Sequence, residues 1–345
     1  MSPGRDEDGE LGGPRPGPHV PEEARMKILY TPNLIAPSLT DDQRSRILAA
    51  AGPGARIVDA KDPAQQRAEI ADTDMIFGRV SNDVFVLGKN VRYYHSIGAG
   101  VDAILTQELV ESDVILASEK GEVGIHLAEH AMALLLGLTR GLHTALRTPD
   151  YTLREPIRRE QWELYDKTLG IVGFGGTGNA VAQRAHAFGM RLLAVDVESV
   201  PPAHGVEQVW KPDRLPQLLG ESDVVVICLP LTKATHHMFS RDLFRQMKRT
   251  AILINVTRGH IVYGDDLLRA LEEGLIWGAG LDVTDPEPLP LDHPLWRHPR
   301  AIVTPHTAGG SPRRCERVVS TFVENLKRMK TGQPLLALID KRKGY

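Results

Sequence analysis

Cysteine is scarce in this chain: of 345 residues only Cys228 and Cys315 carry a thiol. They lie far apart and form no C-x-x-C spacing, so neither a disulfide framework nor a zinc-binding cysteine cluster is indicated, and a reducing, cytoplasmic setting is expected. Aromatic residues are few, at 5%, and no apolar run reaches the roughly 20 residues that a membrane-spanning helix needs. Charge of one sign is lacking too. The 41 basic and 44 acidic side chains leave a formal net charge of -3, which argues against nucleic acid or an anionic membrane as the main partner. A locally basic run, Lys341-Arg342-Lys343, is expected to be solvated. There is no HExxH or clustered carboxylate–histidine spacing, so no metal site is expected, and nothing repeats at a fixed period.

What is present is 42% hydrophobic content over a length that suggests about two domains. Residues 1–25 are rich in Gly, Pro and acidic side chains, with almost nothing apolar to bury; their composition is that of a disordered extension, without the apolar core of a signal peptide. From Met26 onward, short apolar runs at Met26–Tyr30, Ala55–Val58, Asp74–Phe77, Arg92–Ser96 and Val114–Ala117 alternate with turn or helix-like stretches. Thr40-Asp41-Asp42-Gln43 has the order of a capping box and predicts a helix to about Ala51. Glu122–Arg147 lacks proline and predicts one long buried helix, followed by a linker over Tyr151–Asp166. Strands are then expected at Thr168–Gly173, Arg191–Asp196, Asp223–Leu229, Ala251–Asn255, Gly278–Val283 and Ala301–Thr304. A last helix over Ser311–Lys330 should return to the first domain. The expectation is an α/β protein of two doubly wound parallel sheets: a flavodoxin-like substrate domain over 26–121 and 311–345, and a Rossmann domain over 122–310.

The turn Gly173-Phe174-Gly175-Gly176-Thr177-Gly178 sits between an apolar strand and a helix-like stretch, and a second strand ends 18 residues later in Asp196. In that setting G-x-G-x-x-G is the fingerprint of a dinucleotide site. Gly173 permits the tight turn, Gly175 lets backbone approach a pyrophosphate, Gly178 lets helix pack on strand, and the helix N-terminus, with Gly176 and Thr177, faces the phosphate charge. Asp196 would take the adenosine ribose hydroxyls, and with Glu198 would repel a 2′-phosphate, so NAD is favoured over NADP.

Three further blocks follow in order: Ile254-Asn255-Val256-Thr257-Arg258-Gly259, Leu281-Asp282-Val283-Thr284-Asp285-Pro286-Glu287-Pro288 and Thr304-Pro305-His306-Thr307-Ala308-Gly309-Gly310. Together with the glycine turn and Leu229-Pro230-Leu231-Thr232, these resemble the signature blocks of the D-isomer-specific 2-hydroxyacid dehydrogenases, over nearly everything from Met26 to about Pro334. The resemblance implies that Arg258 grips a substrate carboxylate and carbonyl, a task for a planar, permanently charged fork. It makes His306 the acid/base, with Glu287 raising its pKa. It extends the cofactor-lining set to Leu229, Pro230, Thr235, Val256, Gly309 and Asp282, the last at the nicotinamide end. Gly98-Ala99-Gly100-Val101-Asp102 resembles the loop whose amides, at Ala99 and Gly100, hold the substrate carboxylate, and Gly78-Arg79-Val80-Ser81 takes the place of the opposing loop, with Val80 as the contact. Tyr263 and Thr257 depart from the family pattern without touching the acid/base pair.

The expected activity is NAD-dependent interconversion of a small 2-keto acid, such as glyoxylate or hydroxypyruvate, and its D-2-hydroxy acid. A formate-oxidising member is disfavoured, because that type pairs its histidine with glutamine. A phosphite-oxidising member retains Arg, Glu and His and stays open, as does an NAD-sensing, corepressor-like scaffold that binds peptides. The resemblance also implies a homodimer through the cofactor domains, with Leu127–Leu138 as the segment a partner would cover, and no regulatory domain is expected after Tyr345. Most other histidines, including His143, His236 and His237, are expected to be structural or solvent-facing.

Overall fold

Short apolar strands, each fed by a helix or turn, build two separate parallel sheets in the computed structural model, which describes residues 26–148 and 150–345. The expected disorder of residues 1–25 lies outside them. The first sheet holds β1 (Lys27–Tyr30), β2 (Arg56–Asp59), β3 (Met75–Gly78), β4 (Tyr93–Ser96) and β5 (Ile115–Ala117), in the order β2-β1-β3-β4-β5. The second holds β6 (Thr168–Val172), β7 (Arg191–Val195), β8 (Val206–Trp210), β9 (Val224–Ile227), β10 (Ile252–Asn255), β11 (Gly278–Leu281) and β12 (Ala301–Val303), in the order β12-β11-β10-β9-β6-β7-β8. These are the flavodoxin-like and Rossmann strand orders, each with a switch point where the order reverses. β1, β3, β4, β6, β9, β10 and β11 are buried along their whole length, as strands covered by helices on both faces must be.

The chain crosses between the sheets twice. After β5 it enters the helix Gly124–Thr139, which packs on β10, β11 and β12. After β12 it enters the helix Arg314–Thr331, which returns to lie against the helix Asp41–Ala51. Val318, Val319, Phe322, Val323 and Leu326 recur on one face of that last helix and are buried in the core of the first domain. Each such burial stabilises by about 1.5–3 kcal/mol, and Phe322 stacks on Phe77 with ring centroids 4.3 Å apart. The Thr40 capping box is formed as its sequence order predicts.

Three local expectations are corrected, and one strand is present that the sequence did not suggest. The long helix of Glu122–Arg147 is two helices, Gly124–Thr139 and Leu142–Arg147, because Gly141 adopts a left-handed φ of 65° between them. The linker over Tyr151–Asp166 contains a 3-10 turn, Tyr151–Leu153, and a helix, Arg154–Glu160. β8 had no apolar signal, since it is an edge strand with Glu207 and Gln208 exposed. The basic run near the end is not simply solvated: the Lys341 ammonium donates to the carbonyls of Ser112 and Val114, and Lys343 pairs with Glu198 at 2.5 Å. Among the described residues no helix is long and apolar enough to cross a membrane.

Candidate active site

The glycine turn leaves β6 and passes directly into the helix Gly176–Ala187. Gly173 has a φ of 95°, and a Cβ there would meet the Cys228 carbonyl oxygen at 2.7 Å. A Cβ on Gly178 would lie 2.1 Å from the Gly173 oxygen, so helix and strand touch backbone to backbone. At Gly175 the space is open, with nothing within 4 Å of an added Cβ. The turn is therefore closed on its protein side and free on its outer side, a cradle that fits a pyrophosphate at a helix N-terminus. Gly176 is pressed against Gly121, whose Cα would stand 2.5 Å from a Cβ, so the first crossing between the sheets runs beside the turn.

Asp196 follows β7. Its Oδ2 accepts from the Phe174 amide at 2.6 Å and its Oδ1 from the Glu198 amide at 2.8 Å, which fixes the carboxylate beside the turn. Leu229 and Pro230 follow β9, and the Thr235 hydroxyl ties that loop by donating to the Pro230 carbonyl at 2.7 Å. Val256 is buried after β10, and Gly309 gives its carbonyl to Arg314 at 2.8 Å.

Arg258 is presented by a loop that Asn255 shapes from its fully buried position: the Asn255 amide donates to the Arg258 carbonyl at 2.9 Å and its oxygen accepts from the Thr257 amide at 3.2 Å. The guanidinium is pinned at two points, Nε donating to Asp102 Oδ1 at 3.0 Å and Nη1 to the Thr257 carbonyl at 2.8 Å. Its Nη2 lies over Gly100, where a Cβ would come within 1.4 Å of it. Gly100 is thus glycine because the arginine of the other domain occupies the side-chain space. In the sequence Asp102 is one letter of the Gly98–Asp102 loop, and 156 residues separate it from Arg258.

His306 sits after β12 with a φ of 54°, in the left-handed region that a non-glycine residue enters only when its surroundings hold it there. Asp282 does the holding. It is buried, and its Oδ1 accepts from the Thr304 hydroxyl at 2.5 Å and the Thr307 amide at 2.8 Å, while Oδ2 accepts from the Ala308 amide at 2.8 Å. Its own carbonyl accepts the His306 amide at 2.8 Å. The sequence did not reveal His130, whose Nε2 lies 2.8 Å from the Thr304 hydroxyl and supports the same loop.

Glu287 reaches back to His306, with Oε1 2.5 Å from Nδ1. That hydrogen bond and the carboxylate charge raise the histidine pKa against partial burial and the opposing charge of Arg258, and the same bond lowers the pKa of Glu287. Nδ1 is committed to the carboxylate, so Nε2 is the nitrogen available to a reacting molecule. His237, expected to be structural or exposed, is half-buried and holds the adjoining loop through Nε2, 2.7 Å from Asp285 Oδ2.

Val80 is the expected residue that the structure does not bring to the opening between the sheets. The residue is 5% exposed within the first domain's core, and its amide donates to the Tyr94 hydroxyl at 3.0 Å. Arg258, Glu287 and His306 do come together, close enough for the Arg258 charge to act on both partners of the pair. All three lie beyond the carboxyl ends of β10, β11 and β12, where open α/β sheets place ligands.

Two doubly wound domains, a glycine turn with an acidic residue after the next strand, and a charged site at the neighbouring strand ends define a dinucleotide-dependent oxidoreductase. Residues 132–308 match the family model described as D-isomer specific 2-hydroxyacid dehydrogenase, NAD binding domain. A glyoxylate reductase of Korarchaeum cryptofilum is 37% identical over 265 residues, covering 74% of this chain and 77% of that protein. A crystal structure of a D-isomer specific 2-hydroxyacid dehydrogenase family protein from Aeromonas salmonicida is 31% identical, with a TM-score of 0.74 over 92% of this chain and 100% of that one. The NADPH-dependent glyoxylate/hydroxypyruvate reductase of Sinorhizobium meliloti, solved with NADP and sulfate, is 27% identical with a TM-score of 0.74, covering 93% of this chain and 100% of that one. The chain belongs to the D-isomer specific 2-hydroxyacid dehydrogenases.

Proposed function

We propose that the protein reduces a small 2-keto acid of the glyoxylate or hydroxypyruvate type to its D-2-hydroxy acid, and that Arg258, Glu287 and His306 carry the reaction. The observation that supports this reading most is the His306–Glu287 pair at 2.5 Å beside a guanidinium whose Nη2 has no protein acceptor among the described residues. Arg258, held by Asp102 and Thr257, presents that free end to a substrate carboxylate, and the Ala99–Gly100 backbone offers amides from the opposite domain. His306, kept protonated by Glu287, gives its Nε2 proton to the carbonyl oxygen as that oxygen gains charge, and recovers one from solvent. In the oxidation direction the neutral imidazole takes the same proton. The nicotinamide dinucleotide, when bound, supplies or accepts the hydride. Gly173, Gly175, Gly176, Thr177 and Gly178 would hold its pyrophosphate and Asp196 its ribose. Leu229, Pro230, Thr235, Val256 and Gly309 would line its path, and Asp282 acts at the nicotinamide end through the loop it fixes.

NAD is favoured although the Sinorhizobium meliloti relative is described with NADP, because the fixed Asp196 carboxylate would face a 2′-phosphate with like charge. Oxidation of NADH and NADPH in turn, with glyoxylate, hydroxypyruvate, pyruvate and bulkier keto acids, tests substrate and cofactor together. No turnover with any keto acid, with or without reduction of NAD+ by phosphite in a parallel assay, would refute the reading. A homodimer is part of the same proposal. The buried face of the helix Gly124–Thr139 is spent within the chain, and Ile125 on that helix, with Leu142, Leu146 and Tyr151 just beyond it, is exposed apolar surface that a partner would cover. Sedimentation as a single 38.0 kDa species at micromolar concentration would refute the pairing.

A further inference from the structure

The segment Asp340–Tyr345 makes contacts that neither the fold nor the reaction above requires. It is a self-contained turn: the Asp340 carboxylate accepts from the amides of Arg342 and Lys343 at 3.0 and 3.1 Å, and the Gly344 amide donates to the Asp340 carbonyl at 2.8 Å. Gly344 has a φ of 88°, which only glycine adopts freely. One end is anchored to the first domain, through Lys341 on the Ser112 and Val114 carbonyls. The other end reaches the second domain, where the Lys343 ammonium and the Tyr345 hydroxyl meet the same Glu198 oxygen at 2.5 and 3.0 Å.

Sheet order says what lies beneath. Glu198 follows β7, and a side chain at Gly344 would stand 3.6 Å from Thr232 Cγ2, beyond β9. β6 lies between β9 and β7 in the sheet, and it ends in the glycine turn. A segment touching both flanking loops therefore crosses in front of the turn, at the switch-point crevice. The Tyr345 ring also lies under the Lys120 ammonium, 5.5 Å away, and the adjoining Gly121 is packed on Gly176. We infer that Asp340–Tyr345 is a strap across the adenosine-side mouth of the dinucleotide crevice, and that it must leave Glu198 before the cofactor seats. This rests on the reading of Gly173–Gly178 and Asp196 as the dinucleotide seat.

The strap lowers apparent affinity by the fraction of molecules in which it is closed. Removing both contacts to Glu198 in a Lys343→Ala, Tyr345→Phe double variant should tighten NADH binding by about threefold or more and speed its association, read by fluorescence titration and stopped flow. Amides 342–345 of the parent should exchange with deuterium faster at saturating NADH than without it. Equal or weaker binding by the double variant, or amides that become more protected with NADH, overturns the strap while normal parent binding leaves the seat intact. Failure of both proteins to bind NADH or NADPH overturns the strap and the seat together.

Discussion

His306 and His95 are the same side chain in opposite circumstances. His306 stands half-exposed beyond β12, and a carboxylate 2.5 Å away raises its pKa. His95 lies on β4 in the first domain with no exposure, its Nδ1 2.9 Å from a Tyr93 hydroxyl that in turn accepts from Asn325. No carboxylate is among its hydrogen-bond partners, Nε2 has no partner among the described residues, and burial pushes its pKa down to about 3. The difference shows how this fold separates two tasks. A buried imidazole is kept neutral and serves packing against Phe77 and Phe322, while the imidazole proposed for proton transfer has a counter-charge and a route to solvent.

The comparison breaks most visibly if the two histidines prove interchangeable in function. His306→Gln should lower turnover of a keto acid by a factor of about 10² to 10⁴, the usual worth of a general acid, with NADH affinity retained. Turnover within a few-fold of the parent would remove His306 from the reaction. Arg258→Lys comes next. It keeps charge but cannot reproduce both the Asp102 tie and a free donor pair, so kcat/KM should fall by about tenfold or more, measured beside an unchanged NADH titration.

The pH dependence sharpens the contrast. In the proposed reaction keto-acid reduction needs protonated His306, so its rate should fall as pH rises through the raised pKa of that group. Glu287→Gln removes the cause first in importance for that rise, and the limb should move to lower pH. A limb that stays in place would show that another group titrates. The stability effect of His95 has the opposite slope to that of His306. His306, with its pKa raised, stabilises the fold at low pH and loses that contribution as pH rises through the folded value. His95, with its pKa lowered, leaves stability intact above about 6.5 and erodes it as pH falls toward about 3, because only the unfolded chain takes up the proton. Each pH unit inside that window costs about 1.4 kcal/mol for this one group. Thermal melts between pH 4 and 7 should therefore show a flatter dependence in His95→Gln, and an unchanged slope would contradict the assigned burial effect.

The features legible in the sequence were those with a local cause. The glycine turn stands out because tight backbone contact at Gly173 and Gly178 excludes side chains, and the strand ends carry Arg258, Asp282 and His306 in blocks that can be read in order. The features that escaped notice depend on pairs distant along the chain. Lys341 and Lys343 look solvated until Ser112 and Glu198 are folded beside them, Asp102 gains meaning only from Arg258, and Val80 is enclosed by a core that its own loop does not announce. β8 is silent in the sequence for another reason: an edge strand with polar exposed residues has no apolar period.

Arg314 has a mechanical consequence. Its guanidinium grips the buried Glu119 carboxylate with Nε and Nη2, at 3.0 and 2.6 Å, and the Gly309 carbonyl with Nη1, at 2.8 Å. Glu119 belongs to the first crossing between the sheets and Gly309 to the second, so one side chain rivets the two crossings together. Any movement that parted the two crossings would first have to break this grip, and with it the register that sets Gly100 over Arg258.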